Sequence, residues 1–584
     1  MQSSSASKEP AAIPSPVTDA RTRKQPIPAW RKWTAAALLA FVVVPFLHDS
    51  LSPDTSLAGV LGRDELESAK CPVQPKALMP KISFEWDEAY KAHSAKLLSR
   101  AVGLRDEKQI PTVSYDDMGK PQEDIRWNPF VEFKQWLVAT FPLVHEKAHV
   151  EYVNTLGIVL TLKGSDESLK PLVLMSHYDV VPAPANTADR WDHPAFSGYY
   201  DGEYVWGRGA ADDKTLLVAQ YEALTKLLEN ESYQPRRTVI LAHGFDEEEV
   251  GARQGAGQIA PFLEERYGKD GVLLVVDEGT GTVDGLWGAG FALPANAEKG
   301  YLDVKVVVGT PGGHSSVPPA HTGIGIMSQI VKSIEDHPFE PTLSKASPHL
   351  GLLACGAEHA PAFPKAYKKM LASPKKWSKL AASWAGESVA QRALLSTTQA
   401  IDIISGGVKV NALPERVEMM MNFRIDFASS IKETQDHLSH AIALVAKTNN
   451  MTFMPFPTKE EENNADLGDR YVVSQVFGIP LEPAPYTPEE GGVFDMFAGT
   501  IKAVLPGPDG EERIVAPYSS TGNTDTKMYW NLTRNIFRFM SAPMGGGMSG
   551  AHTVNEKAGI DAHLQIVKFV HALVQAANDY EGQE

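Results

Sequence analysis

The chain has 584 residues, is 43% hydrophobic and 22% charged, and carries a formal net charge of −17. It is too long for one ordinary core, so two domains plus tails are expected, and its acidity argues against nucleic acid, whose phosphates it does not neutralise. Only Cys71 and Cys355 occur, which excludes a disulfide scaffold and a cysteine-ligated metal site and leaves one Cys71–Cys355 bridge open.

Residues 1–32 are rich in Ser, Pro and Ala and carry Arg21, Arg23, Lys24, Arg31 and Lys32. "WTAAALLAFVVVPFL", the fifteen residues 33–47, then holds no charge. That is short of the roughly 20 residues that span a typical bilayer, so a buried helix and a signal-peptide core compete as readings. The long basic leader, with no clear small-residue cleavage site after Pro45, favours a signal anchor in a thin endomembrane, residues 1–32 forming a cytosolic tail. The expected topology is a single-pass type II membrane protein with a linker over 48–80 and a lumenal main domain. The sequons Asn230-Glu-Ser, Asn450-Met-Thr and Asn531-Leu-Thr agree with that side of the membrane.

From about 150 onward, apolar runs alternate with helical patterns, as in an α/β sheet. "PLVLM" leads into "SHYDV" with His177 and Asp179, "TVILA" into "HGFDEEEV", and "VLLVV" into "DEG" with Asp277. Near-continuous Val/Leu/Ile runs suit parallel strands covered on both faces, and polar residues just past them fall at the carboxyl edge where open sheets bind ligands. Histidines and carboxylates without cysteine suit catalytic zinc. In an extended segment His177 and Asp179 share one side, so Asp179 could accept the ring N–H of His177.

"WGRGAADDKTLLVAQYEALTKLL", residues 206–228, is a Gly-punctuated loop entering an amphipathic helix, with Asp212 and Asp213 at its N-terminus; helix capping is the expected role of Asp213. Far downstream, "MGGGMSGAHTVNEKAGI" places His552 between a Gly-rich loop and a helix.

The ordered set "SHYDVVP", "WDHPAFSG", "GRGAADDK", "GFDEE", "VVDEG", "GGHSS", "VKVNALPERVEMMMNFRID", "TDTKMYW" and "HTVNEK" covers about residues 85–575. In these motifs the chain resembles the di-zinc metallopeptidase and aminoacylase family, in particular its carboxypeptidase S (Gly-X carboxypeptidase) branch of fungal vacuolar enzymes. The resemblance implies an α/β catalytic domain, mainly parallel sheet flanked by helices, in two parts, 81–297 and 471–584. An inserted α+β lid domain with a helical insertion would occupy 298–470. It also implies two Zn2+ ions: His177 and Asp277 on one, Glu248 and His552 completing the other, Asp212 bridging them, and Glu247 as general base towards the attacking water. A vacuolar location follows from the same source.

The acidic stretch departs from the family pattern by one residue. Counted from "GFDEE" the base and ligand are Glu247 and Glu248; counted back from Gly255-Ala256 they are Glu248 and Glu249. The first count is favoured because the lead-in is tied to the strand, and the second stays open.

After "EKGYLDVKVVVG" a strand over 301–309, a helix around 321–336, strands over 398–410 and 415–426 and a helix around 430–447 read as the lid. The insertion 340–397 carries "KAYKKMLASPKKWSK", expected as a solvated helix. By resemblance His314 steadies the oxyanion, while Asn411 and Arg424 contact substrate, the Arg as a bidentate carboxylate clamp. The expected activity is therefore a zinc carboxypeptidase acting on short peptides with a free C-terminal carboxylate. An N-acyl-amino-acid hydrolase or synthase is the alternative, and a second copy through the lid is a further expected partner. A binding protein on a dead hydrolase fold fits poorly with a complete ligand set, and no G-x-S-x-G elbow supports a serine hydrolase.

Overall fold

The structure, a computed structural model, describes residues 69–105, 108–249 and 251–582. The expected tail 1–32, the anchor 33–47 and the linker up to 68 lie outside the described residues.

A ten-stranded sheet forms the catalytic body. Strands Ile536–Pro543, Leu274–Leu286, Leu172–His177 and Val239–Gly244 run parallel at its centre. Gly157–Leu162 and His149–Val153 extend one side antiparallel. The central strands are buried on both faces, as their continuous apolar runs require. Leu172, Leu174, Leu241, Leu274 and Val276 pack with helices Lys214–Leu228, Gly492–Val504 and Ile560–Asp579. The alternate positions Val173, Met175, Ile240, Ala242 and Val275 pack with helix Ala256–Tyr267. This two-residue alternation lets one sheet carry two helical layers.

The lid is a second, five-stranded sheet in the order Thr398–Gly406, Arg416–Ile425, Gly300–Gly309, Tyr471–Leu481, Thr452–Pro455. Helices Gly323–Asp336 and Ile431–Thr448 bury Ile326, Ile330, Leu438 and Ile442 against Val304, Val306, Met419 and Met421. Tyr471–Leu481 pairs with Gly300–Gly309 over most of its length, so the lid sheet runs past the expected boundary at 470 to residue 481.

The helical insertion is not simply solvated. The lysines of "KAYKKMLASPKKWSK" are exposed, but Leu371, Trp377, Leu380 and Trp384 join a core with Phe291, Leu293 and Ala516 of the catalytic body. Cys71 and Cys355 form a disulfide that ties the segment entering the domain to helix Pro348–His359 of this insertion.

The expected membrane placement is corrected. Among the described residues no helix is long and apolar enough to cross a membrane. The longest, Ile560–Asp579, carries His563, Lys568 and His571 and packs into the core. The single-pass type II topology is therefore not retained.

Candidate metal centre

Strands Leu172–His177 and Val239–Gly244 end side by side, next to the point where Leu274–Leu286 parts from Leu172–His177. In register His177 stands opposite Gly244, and Leu174 opposite both Leu241 and Val276, so the segments after Gly244 and Val276 emerge next to His177. Gly244 has little choice of side chain, because a Cβ there would meet Asp525 Oδ2 at 2.4 Å. The loop from Gly207 and the loop carrying His552 approach the same edge, joined by a Gly207 N–H to Glu556 carbonyl bond of 2.9 Å.

At this edge two ligand groups share one carboxylate. His177, Asp212 and Glu278 form the first, and Asp212, Glu248 and His552 the second. Asp212 Oδ1 lies 3.1 Å from His177 Nε2, while its Oδ2 lies 3.2 Å from His552 Nε2. His177 Nε2 is 3.4 Å from Glu278 Oε1, and His552 Nε2 is 2.9 Å from Glu248 Oε2. A carboxylate that turns one oxygen to each group is what bridging of two ions requires. Glu247 groups with His177 and Glu248, beside the first site.

Hydrogen bonds from behind fix these ligands. Asp179 accepts from the backbone N–H of Glu247 and of Glu248, each at 3.1 Å, and from Ser114 Oγ at 2.7 Å. His177 Nδ1 meets Asp179 at its backbone carbonyl, 3.1 Å, and at Oδ1, 3.3 Å. Asp179 thus stands against the His177 imidazole and also holds the acidic turn. Asp246 closes that turn by accepting from Gln254 N–H at 2.6 Å and Gly255 N–H at 2.7 Å. Glu556, fully buried, accepts from the N–H groups of Gly209 (2.9 Å), Ala211 (3.0 Å) and Asp212 (3.2 Å) and pairs with Arg208.

Asp277, expected as a ligand, belongs to neither group; its neighbour Glu278 does. The pairing slips here, Arg538 facing Asp277 and Phe539 facing Thr280, so Glu278 stands in a bulge, and its longer arm reaches the cluster. Asp277 is buried with Oδ2 unpartnered. The "DEG" motif offered both carboxylates, and the Gly279 that follows them, at φ 145°, was the signal of a bulge. Glu249 joins neither ligand group. Asp213 precedes helix Lys214–Leu228 but makes no side-chain capping bond, and both its oxygens are buried without partners. The expected capping role is thus not seen.

Arg424 lines a cleft of about 610 Å³ together with Glu247, Glu248, Tyr301, Asn523 and Lys527. Its Nη1 donates to Asn523 Oδ1 at 2.8 Å, and its guanidinium lies 4.9 Å from the Tyr301 ring centre. His314 and Asn411 do not line that cleft. They lie exposed together on the lid, where Ser315 N–H donates to the Asn411 carbonyl at 3.3 Å.

The electrostatics fit a cation. Burial pushes the Glu278 carboxyl up to about 7 and, with Asp212 adding to it, raises Glu248; burial also raises Glu247. Hydrogen bonds to Asp212 and Glu248 hold the His552 imidazolium up to about 10, a proton serving where an ion could. For Asp212 burial opposes ionisation, but His177 and His552 outweigh it and hold the carboxyl below its usual range. Imidazole nitrogens and carboxylate oxygens without thiolate are the donor set of catalytic zinc.

The sequence model described as Peptidase family M20/M25/M40 matches residues 173–576. The chain is 38% identical over 542 residues to Carboxypeptidase S of Saccharomyces cerevisiae, covering 89% of this chain and 91% of that one. It is 32% identical over 504 residues to the Bos taurus N-fatty-acyl-amino acid synthase/hydrolase PM20D1, covering 85% and 90%. Among solved structures, an M20 family metallo-carboxypeptidase, Sso-CP2, from Sulfolobus solfataricus superposes with a TM-score of 0.54 at 18% identity, over 85% of this chain and 100% of that one. The chain therefore belongs to the M20/M25/M40 peptidase family.

Proposed function

We propose that this protein is a two-zinc carboxypeptidase that removes the C-terminal residue of short peptides. The observation that carries the reading is the pair of ligand groups sharing Asp212, with Glu247 beside them and Arg424 in the same cleft. When bound, zinc ions would lower the pKa of the attacking water and polarise the scissile carbonyl. Arg424 holds the substrate carboxylate and so sets which bond reaches the cluster. Glu247 takes a proton from the water and returns it to the leaving nitrogen. Asp179 keeps Glu247 and Glu248 in register through their backbone N–H groups.

Hydrolysis of N-acyl amino acids is the second reading. It is favoured by the apolar lining of Ile479, Pro480, Leu481 and Met528 in the cleft and by the name of the Bos taurus relative. A homodimer through the lid is part of the same proposal. Its support is the exposed edge strand Thr398–Gly406 with Ile403 and Ile404, and the fully exposed Val408 and Val410 beside Asn411.

N-blocked Gly-Leu and N-long-chain-acyl leucine, offered together to the zinc-loaded protein, distinguish these readings. Chelator-sensitive leucine release mainly from the dipeptide supports the carboxypeptidase. Release mainly from the acyl-leucine selects the alternative, and no release from either refutes both.

A further inference from the structure

Three cations line the cleft, and they stand differently. Arg253 is exposed. Arg424 rises from the lid strand Arg416–Ile425 and is held by Asn523 and Tyr301. Lys527 sits on the short helical turn Asp525–Met528 of the catalytic body, half-buried, and its ammonium makes no hydrogen bond or ion pair among the described residues. Its footing is rigid. Thr526 Oγ1 donates to Glu298 Oε2 at 3.0 Å and accepts from Arg538 Nε at 3.0 Å, all three residues being fully buried. A lysine projected from a fixed turn into a cleft, its ammonium without a hydrogen bond among the described residues although Asp246, Glu247 and Asp525 feel its charge, has donors to offer an anion supplied from outside.

We infer that Lys527 is the second half of the substrate's carboxylate clamp: the C-terminal carboxylate lies between the Lys527 ammonium and the Arg424 guanidinium. This rests on the carboxypeptidase reading. Arg424 belongs to the lid and Lys527 to the catalytic body, so the carboxylate would be held from both sides of the cleft. The side chain of the departing residue would then lie against Ile479, Leu481 and Met528, which line the same cleft. A one-sided clamp would leave that carboxylate facing three glutamates with Arg424 and the exposed Arg253 to offset them. The acid wall also repels a substrate whose carboxylate falls elsewhere, which adds to register.

The test compares N-blocked Gly-Leu with its C-terminal amide on the zinc-loaded wild-type, Lys527→Met and Lys527→Arg proteins, with thermal unfolding as a check on folding. Wild type is expected to prefer the free acid strongly. Lys527→Met should raise KM for the acid about ten- to hundredfold, the loss of one charge-assisted contact. Its kcat should change far less, the amide should be affected much less than the acid, and Lys527→Arg should recover most of the preference. If Lys527→Met lowers kcat on acid and amide alike with KM unmoved, Lys527 serves the reacting centre and the inference is overturned. If wild type prefers the acid and Lys527→Met keeps that preference, the inference alone fails. If wild type does not distinguish acid from amide, the carboxypeptidase reading falls and takes the inference with it.

Discussion

The Glu556 carboxylate accepts the backbone N–H of Asp212 at 3.2 Å, so one loop of the metal centre is hung from the other: Glu556 follows His552 by four residues. With Gly209 and Ala211 on the same oxygen and Arg208 on the other, it is the fixed point of the loop that carries Asp212. Glu556→Gln would turn an amide N–H₂ towards Arg208 or towards the loop's own donors. Zinc affinity is expected to fall about 10–100-fold, read by competition with a chelating dye. Unaltered affinity would show that Asp212 holds its place without Glu556.

Glu278 and Asp277 give a sharp contrast. Glu278→Gln should lose one of two bound zinc ions and most activity. Asp277→Asn should keep both, because its carboxylate is in neither ligand group. Metal analysis of the two purified variants decides it; the reverse pattern would restore Asp277 as the ligand.

The difference between those two residues marks where sequence reading ended. Apolar runs ending in His177, in the acidic stretch and in "DEG" were legible because a buried parallel strand leaves a continuous signal and its end is where polar residues become affordable. Asp212 and His552 were legible only through the motif set, since neither stands at a strand end. The choice of Glu278 over Asp277 depends on which way one residue points at a bulge within strand Leu274–Leu286. Glu556 was invisible for another reason. Its role is to accept backbone N–H groups from a loop more than 340 residues away, and backbone donors leave no trace in composition. The helical insertion was read from its lysines, whereas its apolar face, Trp377, Leu380 and Trp384, records the packing that places it on the catalytic body.

The acidic stretch can be resolved by paired variants. Glu247→Gln should retain metal and lose about 10²–10⁴-fold in kcat, the usual contribution of a positioned general base. Glu249→Gln should leave metal content intact and kcat within a few-fold. Steady-state kinetics with metal analysis check both; a collapse of kcat in Glu249→Gln alone would favour the other count.

Metal and pH should be linked in a definite direction. Burial raises the Glu278 carboxyl to about 7 and also raises Glu247 and Glu248, whereas the unfolded chain titrates near 4. In the metal-free protein each such group therefore contributes stability that is present below about pH 4 and is lost as pH rises towards its folded value, at about 1.4 kcal/mol per pH unit per group. Buried His243 and His349, pushed down to about 3 by burial, work the other way below their unfolded pKa, but they do so with or without metal. Zinc displaces the carboxyl protons, so the zinc-induced rise in Tm should grow from pH 5 to pH 8. A rise independent of pH would mean that these carboxylates are already ionised in the metal-free fold.

The most direct measurement is a crystal structure of the zinc-loaded protein with anomalous differences collected at the zinc edge. Two peaks are expected on either side of Asp212, one held by His177 and Glu278 and the other by Glu248 and His552, with Glu247 bound to neither. A single peak, or a first ion held by Asp277 with Glu278 turned away, would contradict the arrangement from which the function is inferred.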